Sequence, residues 1–164
     1  REFDGKQGQT HTRATSPDPA YKPFVAGAWA QPAADSGVIL SQGGAGAGYS
    51  LYLAHGIPHI GIRSNGRLYE AKGAGKVKPG EWTHIAGRLN KQGQLQVLIN
   101  GRPSGSPVKA KFLTSKPFDS FSLAADTGSP VNDYPAGNEY KGMLEDVRVY
   151  WGELSEGALR GWAD

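Results

Sequence analysis

The chain contains no cysteine and a single methionine. Without thiols it can have no disulfide framework, no thiolate zinc site and no cysteine nucleophile. It has no apolar run of 18 residues, and residues 1–20 are too polar for the apolar stretch of a signal peptide. Neither a membrane partner nor a targeting segment is therefore expected, and the chain reads as an excised domain or a mature fragment. Helical periodicity is also nearly missing. Only residues 154–162 could turn, and Gly157 among them holds any helix to a short terminal one.

What is abundant points the other way. Among 164 residues there are 24 Gly and 11 Pro, with seven Tyr, five Phe and four Trp. That composition favours many short strands joined by tight turns, and the length suits one domain, residues 1–164, with a real core. Strands are predicted at 24–30, 38–41, 49–54, 57–63, 67–71, 82–89, 95–100, 121–125 and 143–150. Turn signals separate them at Gly43-Gly44, His55-Gly56, Asn65-Gly66, Pro79-Gly80 and Asn100-Gly101. With no helical crossovers and no fixed repeat, the fold class is all-β, an antiparallel two-sheet β-sandwich or a barrel.

The middle of the chain can be read to the level of register. A two-residue turn at Asn65-Gly66 sets Ser64 against Arg67, Ile62 against Tyr69, Gly61 against Glu70 and Ile60 against Ala71. A second turn at His55-Gly56 sets Leu53 against Pro58, Tyr52 against His59, Ser50 against Gly61 and Tyr49 against Ile62. Both hairpins put Tyr49, Leu51, Leu53, Ile60, Ile62 and Tyr69 on one face, the core side. Ser50, Tyr52, His59, Arg63 and Glu70 then share the other. A Tyr beside a His, with an Arg and a Glu one strand away, can stack on and hydrogen-bond a sugar. The plainer alternative is a cross-strand cluster in which Glu70 neutralises Arg63.

The net charge is only +3, but it is unevenly spread. Residues 60–91 hold seven Lys or Arg against two acids, 102–116 four against none, and 117–147 one against six. Such blocks suit an anionic partner in one region and a cation in another, or are simply solvated faces. Asp126, Asn132, Asp133 and Glu139 in the acidic block could supply oxygens to calcium, as could Asp4 or Asp146, although their spacing is not that of an EF-hand. Nucleic acid is not expected, because neither a recognition helix nor interleaved basic and exposed aromatic residues can be discerned.

Catalytic motifs are scarce. There is no His-Glu-x-x-His and no Gly-x-Ser-x-Gly; Gly75-Lys76 is followed by Val77, and residues 43–48 lack dinucleotide-binding spacing. A glycosidase needs two carboxylates about 5–10 Å apart across a sugar, whereas Glu145 and Asp146 are adjacent and should point to opposite faces. Tyr52, His59 and Arg63 are the residue types of a polysaccharide lyase, which keeps that reaction as a third reading. His55 and His59 are separated by Gly56 and Pro58, which excludes a helical metal pair. His84 reads as a structural, hydrogen-bonding histidine, and Trp29, Trp82 and Trp162 as core or sheet-edge packing.

Five stretches, in order, carry a resemblance to a known family. They are Phe3-Asp4-Gly5; residues 24–40 (FVAGAWAQPAADSGVIL); Trp82-Thr83-His84-Ile85-Ala86; residues 95–101 (LQVLING); and residues 140–150 (YKGMLEDVRVY) followed by Leu154-Ser155. Together they resemble the laminin G-like domains of the concanavalin A-like jelly-roll superfamily over nearly the whole chain, departing at Glu145-Asp146, where the family has Asp-Glu or Asp-Asp. The resemblance implies two packed antiparallel sheets and, commonly, one structural calcium ion near a sheet edge, for which Asp4, Asp126, Asp133 and Asp146 are the candidates here. It also implies a domain appended to a secreted bacterial carbohydrate-active enzyme or sulfatase.

The resulting expectation is a monomeric, non-catalytic carbohydrate-binding module, extracellular or periplasmic, for a polysaccharide, either neutral or carrying sulfate or uronate groups. Tyr52 and His59 would stack on and bond a sugar ring, Arg63 would pair with an anionic substituent, and Ser50 and Glu70 would meet hydroxyls. His55, Tyr134 and Asn138 are candidates on the rim loops. The alternative is a structural domain that packs on a neighbouring catalytic domain in the parent chain.

Overall fold

The computed structural model of the chain describes residues 1–11, 16–134 and 138–164. Within them twelve strands run in order: β1 Glu2–Asp4, β2 Gln9–Thr10, β3 Phe24–Pro32, β4 Gly37–Gly43, β5 Gly48–Ala54, β6 Ile57–Ser64, β7 Arg67–Lys72, β8 Thr83–Leu89, β9 Gln94–Ile99, β10 Arg102–Lys109, β11 Phe121–Leu123 and β12 Lys141–Trp151. One helix, α1, spans Glu156–Trp162. The strands form two antiparallel six-stranded sheets, β1-β12-β3-β8-β9-β10 and β2-β11-β4-β5-β6-β7, packed as a sandwich.

Local chemistry sets the hairpins. His55 and Gly56, Asn65 and Gly66, and Asn100 and Gly101 all have φ between 49° and 81°, the positive values that a two-residue turn matching strand twist requires. Register follows as expected from the two turns: Tyr52 faces His59, Ser50 faces Gly61, Gly61 faces Glu70 and Ile62 faces Tyr69. Alternation then places Tyr49, Leu51, Leu53, Ile60 and Ile62 in the core with Phe24, Ile39, Leu40, Ile85, Leu89 and Leu95, while Tyr69 packs at its margin. Each such side chain contributes about 1.5–3 kcal/mol on burial.

Four elements depart from the sequence pattern, the first being β2, a two-residue strand that no alternation announces. β10 was not predicted, because Pro103, Gly105 and Pro107 interrupt it; it is an edge strand whose register shifts between Ser104 and Val108, where missing amide donors are tolerated. The strand at 121 ends early, since Ala124 takes φ 59°. In β12 the register shifts between Glu145 and Arg148, with Asp146 at φ 48°. Leu144 and Val147 both pack on the core, so the bulge leaves Glu145 and Asp146 together on the exposed side rather than on opposite faces.

Candidate functional site

The face of β4–β6 away from the core is built from small polar and aromatic residues, and the segment after β11 lies over it. Ser41 Oγ donates to Ala125 O at 3.0 Å, Arg63 Nε donates to Val131 O, and Asn132 Nδ2 donates to Ser50 Oγ at 3.0 Å. Gly61 is the reason this approach is possible: a Cβ there would stand 2.0 Å from Asn132 Nδ2. A glycine inside a strand often marks such a close approach, and it was the one signal in the sequence that this face is covered. Within the covering segment Asp126 Oδ2 accepts from Val131 N at 2.8 Å and from the Tyr134 hydroxyl. Burial pushes the Asp126 carboxyl above its usual range against the pull of those bonds.

At the margin of the cover sits a cluster of three. Tyr52 and His59 stack with centroids 5.0 Å apart, Tyr52 Oη donates to Glu70 Oε2, and His59 Nδ1 lies 3.1 Å from Glu70 Oε1. The His59 hydrogen bond, then that of Tyr52, holds the Glu70 carboxyl below the ordinary carboxylate range despite desolvation. Burial and the adjacent Glu70 push the Tyr52 phenol well above its ordinary value. Tyr134 closes on the Tyr52 ring edge-on, at 5.1 Å and 84°.

The predicted site residues therefore divide. Tyr52, His59 and Glu70 come together as one bonded unit. Ser50 is 0% exposed and Tyr52 3%, so neither meets a ligand directly; both lie under the cover. Arg63 is taken by Val131 O and, at 3.0 Å, by Gly66 O, which makes it a clamp on the covering segment rather than a free partner for an anion. His55 stands exposed at the tip of the β5–β6 hairpin, outside the cluster. Asn138 braces the cover by bonding Asp126 O at 2.8 Å. What the sequence pattern missed is the open side of Glu70: a cavity of about 590 Å³ between the edge strands β7 and β10, bordered by Glu70, Lys72, Ala74, Ser106 and Val108. Because β10 was not predicted, neither was this cleft.

The four candidate calcium ligands do not converge. Asp4 Oδ1 accepts from Lys6 N at the start of the chain, and Asp146 accepts from Arg148 Nε and Trp162 Nε1. Asp126 and Asp133 belong to the covering segment, and among the described residues no three His, Asp or Glu side chains gather. Asp126 Oδ1 and Asn132 Oδ1 are nevertheless buried without a hydrogen-bond partner there. His84 also departs from expectation: among the described residues both its ring nitrogens lack a hydrogen-bond partner, and its bonds are made by the backbone, the amide donating to Asn100 Oδ1 at 3.0 Å and the carbonyl accepting from Asn100 N at 2.9 Å.

Two packed antiparallel six-stranded sheets define a β-sandwich of the jelly-roll kind. The family model described as the concanavalin A-like lectin/glucanases superfamily, a laminin G type, matches residues 4–159, and the chain belongs to that superfamily. A search of curated protein sequences finds no match. Among solved structures it is similar to domain 4 of the GH43 extracellular arabinanase AbnA from Geobacillus stearothermophilus in complex with arabinotriose: TM-score 0.72, 19% identity, 99% of this chain and 75% of that one covered. It is similar to the IT-sialidase CBM40 of Ruminococcus gnavus bound to α2,3 sialyllactose, with TM-score 0.68, 15% identity and 97% of each chain covered. A heptameric SAP-like pentraxin from Limulus polyphemus gives 0.71 at 17% identity, over 99% and 80% of the two chains. Among the described residues no helix is long and apolar enough to cross a membrane.

Proposed function

We propose that this domain is a non-catalytic carbohydrate-binding module whose ligand face is the Glu70 side of the β7–β10 cleft, acting as an appendage of a larger secreted carbohydrate-active enzyme. One observation carries the reading: Glu70 is held by Tyr52 Oη and His59 Nδ1, kept ionised, and left open on a cleft beside Lys72 and Ser106. A carboxylate fixed in this way accepts hydrogen bonds from sugar hydroxyls without the entropy of ordering itself. The sugar-bound relatives above support the same reading. Tyr52 is a positioning residue here, and His59 both positions Glu70 and borders the ligand. A few such contacts correspond to micromolar to millimolar dissociation constants, about −8 to −4 kcal/mol.

The lyase reading loses its base. Tyr52 is buried, its phenol is pushed upward, and its hydroxyl is committed to Glu70. The packing-domain reading predicts that nothing is bound. Affinity electrophoresis through neutral, uronate-containing and sulfated polysaccharides separates the two: retention on at least one gel is expected. Glu70→Gln should weaken retention about tenfold with little change in melting temperature. No retention of the wild type on any gel overturns the proposal.

The calcium ion implied by the resemblance belongs, on the same reading, to the two orphaned oxygens, Asp126 Oδ1 and Asn132 Oδ1. A hard cation would complete its shell there with backbone carbonyls and water and pin the covering segment. A chelator should then lower the melting temperature, and an unchanged melting curve would remove calcium from the account.

A further inference from the structure

We infer that the end of the sandwich crossed by residues 110–120 is a second glycan site, a groove for an anionic polysaccharide in which lysines meet sulfate or carboxylate groups and two exposed rings meet sugars. The inference rests on the domain being a carbohydrate binder but not on the Glu70 site. It starts from the basic block at 102–116, which nothing at the Glu70 face uses, and from Arg63, whose expected anion is replaced by Val131 O.

The connection from β10 to β11 passes from one sheet to the other. Ala110 N donates to Gly93 O at 2.8 Å, Ser64 Oγ donates to Phe112 O at 2.8 Å, and Tyr21 N donates to Leu113 O at 2.7 Å. Leu113 is buried, so the crossing is anchored while its lysines face outward. Two cavities lie along it. One of about 470 Å³ is bordered by Tyr21, Lys91, Lys109 and Lys111; the other, of about 320 Å³, by the glycine-rich 44–47 connection, Lys116, Phe118 and Asp119. Thr114 lines the first and Asn65 the second, and the Thr114 hydroxyl donates to Asn65 Oδ1 at 2.9 Å, so the cavities are consecutive.

The side chains suit a charged chain of sugars. Tyr21 is 71% exposed and Phe118 80%, a ring for each half of the path. Tyr21 holds φ 57°, a left-handed conformation unfavourable for a residue with a Cβ. Of the acids near the groove, Glu153 is paired with Lys91 at 3.3 Å, and Asp119 accepts from Ser129 N and Oγ. Lys109 donates to Gln92 O, and among the described residues no ion pair is formed by Lys109, Lys111 or Lys116. An exposed lysine contributes little against one anion, so recognition here needs a polymer with repeated charge and is weakened by salt.

The test is affinity electrophoresis through dextran sulfate, polygalacturonate and unmodified dextran, with a single-stranded oligonucleotide as competitor. Retention is expected by dextran sulfate, polygalacturonate or both, which tells sulfate from carboxylate. It should fall about tenfold between about 0.05 and 0.5 M salt. The triple variant Lys109→Gln/Lys111→Gln/Lys116→Gln should lose it, Tyr21→Ala/Phe118→Ala should weaken it severalfold, and Arg102→Gln, which removes an exposed charge of the same basic block outside both cavities, should leave it nearly intact. Unchanged retention of the triple variant overturns the groove, as does a loss in Arg102→Gln of the same size. Competition by the oligonucleotide at equal concentration would show charge without sugar recognition and also overturn it. Retention of the wild type by neutral polymers alone sinks the groove but leaves the Glu70 reading, whereas retention by none sinks both.

Discussion

The two outer faces of the sandwich are covered in opposite ways. Over β3, β8 and β9 lies α1, whose Leu159 and Trp162 pack on Val25, Ala86 and Leu98, with Tyr150 and Leu154 at the border. The helix is capped by Ser155, which accepts from Ala158 N at 3.1 Å, and Glu156 reaches Arg88 at 2.7 Å. Over β4–β6 lies irregular chain tied down by hydrogen bonds: Ser41 and Arg63 donate to its backbone carbonyls, and Ser50 accepts from the Asn132 amide. The apolar cap seals its face: Trp162 stands edge-on to His84 at 4.4 Å, and His84 is 1% exposed. The polar cover orients what it touches and stops short of Glu70, leaving a carboxylate at its margin. One sandwich thus carries an apolar cap on one face and a polar cover on the other, and on the proposed reading only the second borders a ligand.

The contrast can be broken most severely at the cap. Trp162→Ala removes a buried indole and should cost about 3–5 kcal/mol, or roughly 10 °C in melting temperature, without changing glycan retention of the folded protein. Calorimetry and affinity electrophoresis on one sample check both halves.

Acid should weaken the same face. Burial lowers His84 to about 4, with Asp146 opposing and Arg148 assisting. The unfolded chain therefore takes the proton first, and the stability contributed is complete above about pH 6.5 and lost as pH falls toward 4, roughly 3 kcal/mol in all. Urea denaturation at several pH values should show this fall in the wild type and a smaller one in His84→Phe. Asp126, raised in the folded state, acts with the opposite sign across the carboxylate range, so the wild-type-minus-variant difference is the quantity to read.

The polar face responds differently. Gly61→Ala drives a Cβ into Asn132 and should destabilise by about 1–3 kcal/mol while displacing the cover, so glycan retention falls along with stability. The smallest effect is Ser50→Ala, which leaves Asn132 Nδ2 without its acceptor and should cost about 1–2 kcal/mol by thermal melting.

The hairpins β5–β6–β7 were legible because two turn dipeptides and strict alternation agree on one register, and Tyr52, His59 and Glu70 were grouped for that reason. The burial of that group was not legible: its cover comes from residues 125–134, far along the chain and without periodicity, and only Gly61 hinted at it. Pro103 and Pro107 concealed β10 and with it the cleft that gives Glu70 an open side. The bulge at Asp146 was likewise hidden, since nothing in Glu145-Asp146 announces a left-handed residue. Propensity and alternation describe strands paired locally; what lies over a sheet is decided by long-range packing.

The most direct measurement is a map of amide ¹H–¹⁵N chemical shifts during titration with an oligosaccharide of the polymer that retains the domain in a Glu70-dependent way. The account predicts the largest shifts at His59, Glu70, Lys72 and Ser106, with Leu159 and Trp162 unmoved. Shifts concentrated on α1 and its neighbours, with the Glu70 cleft silent, would contradict it.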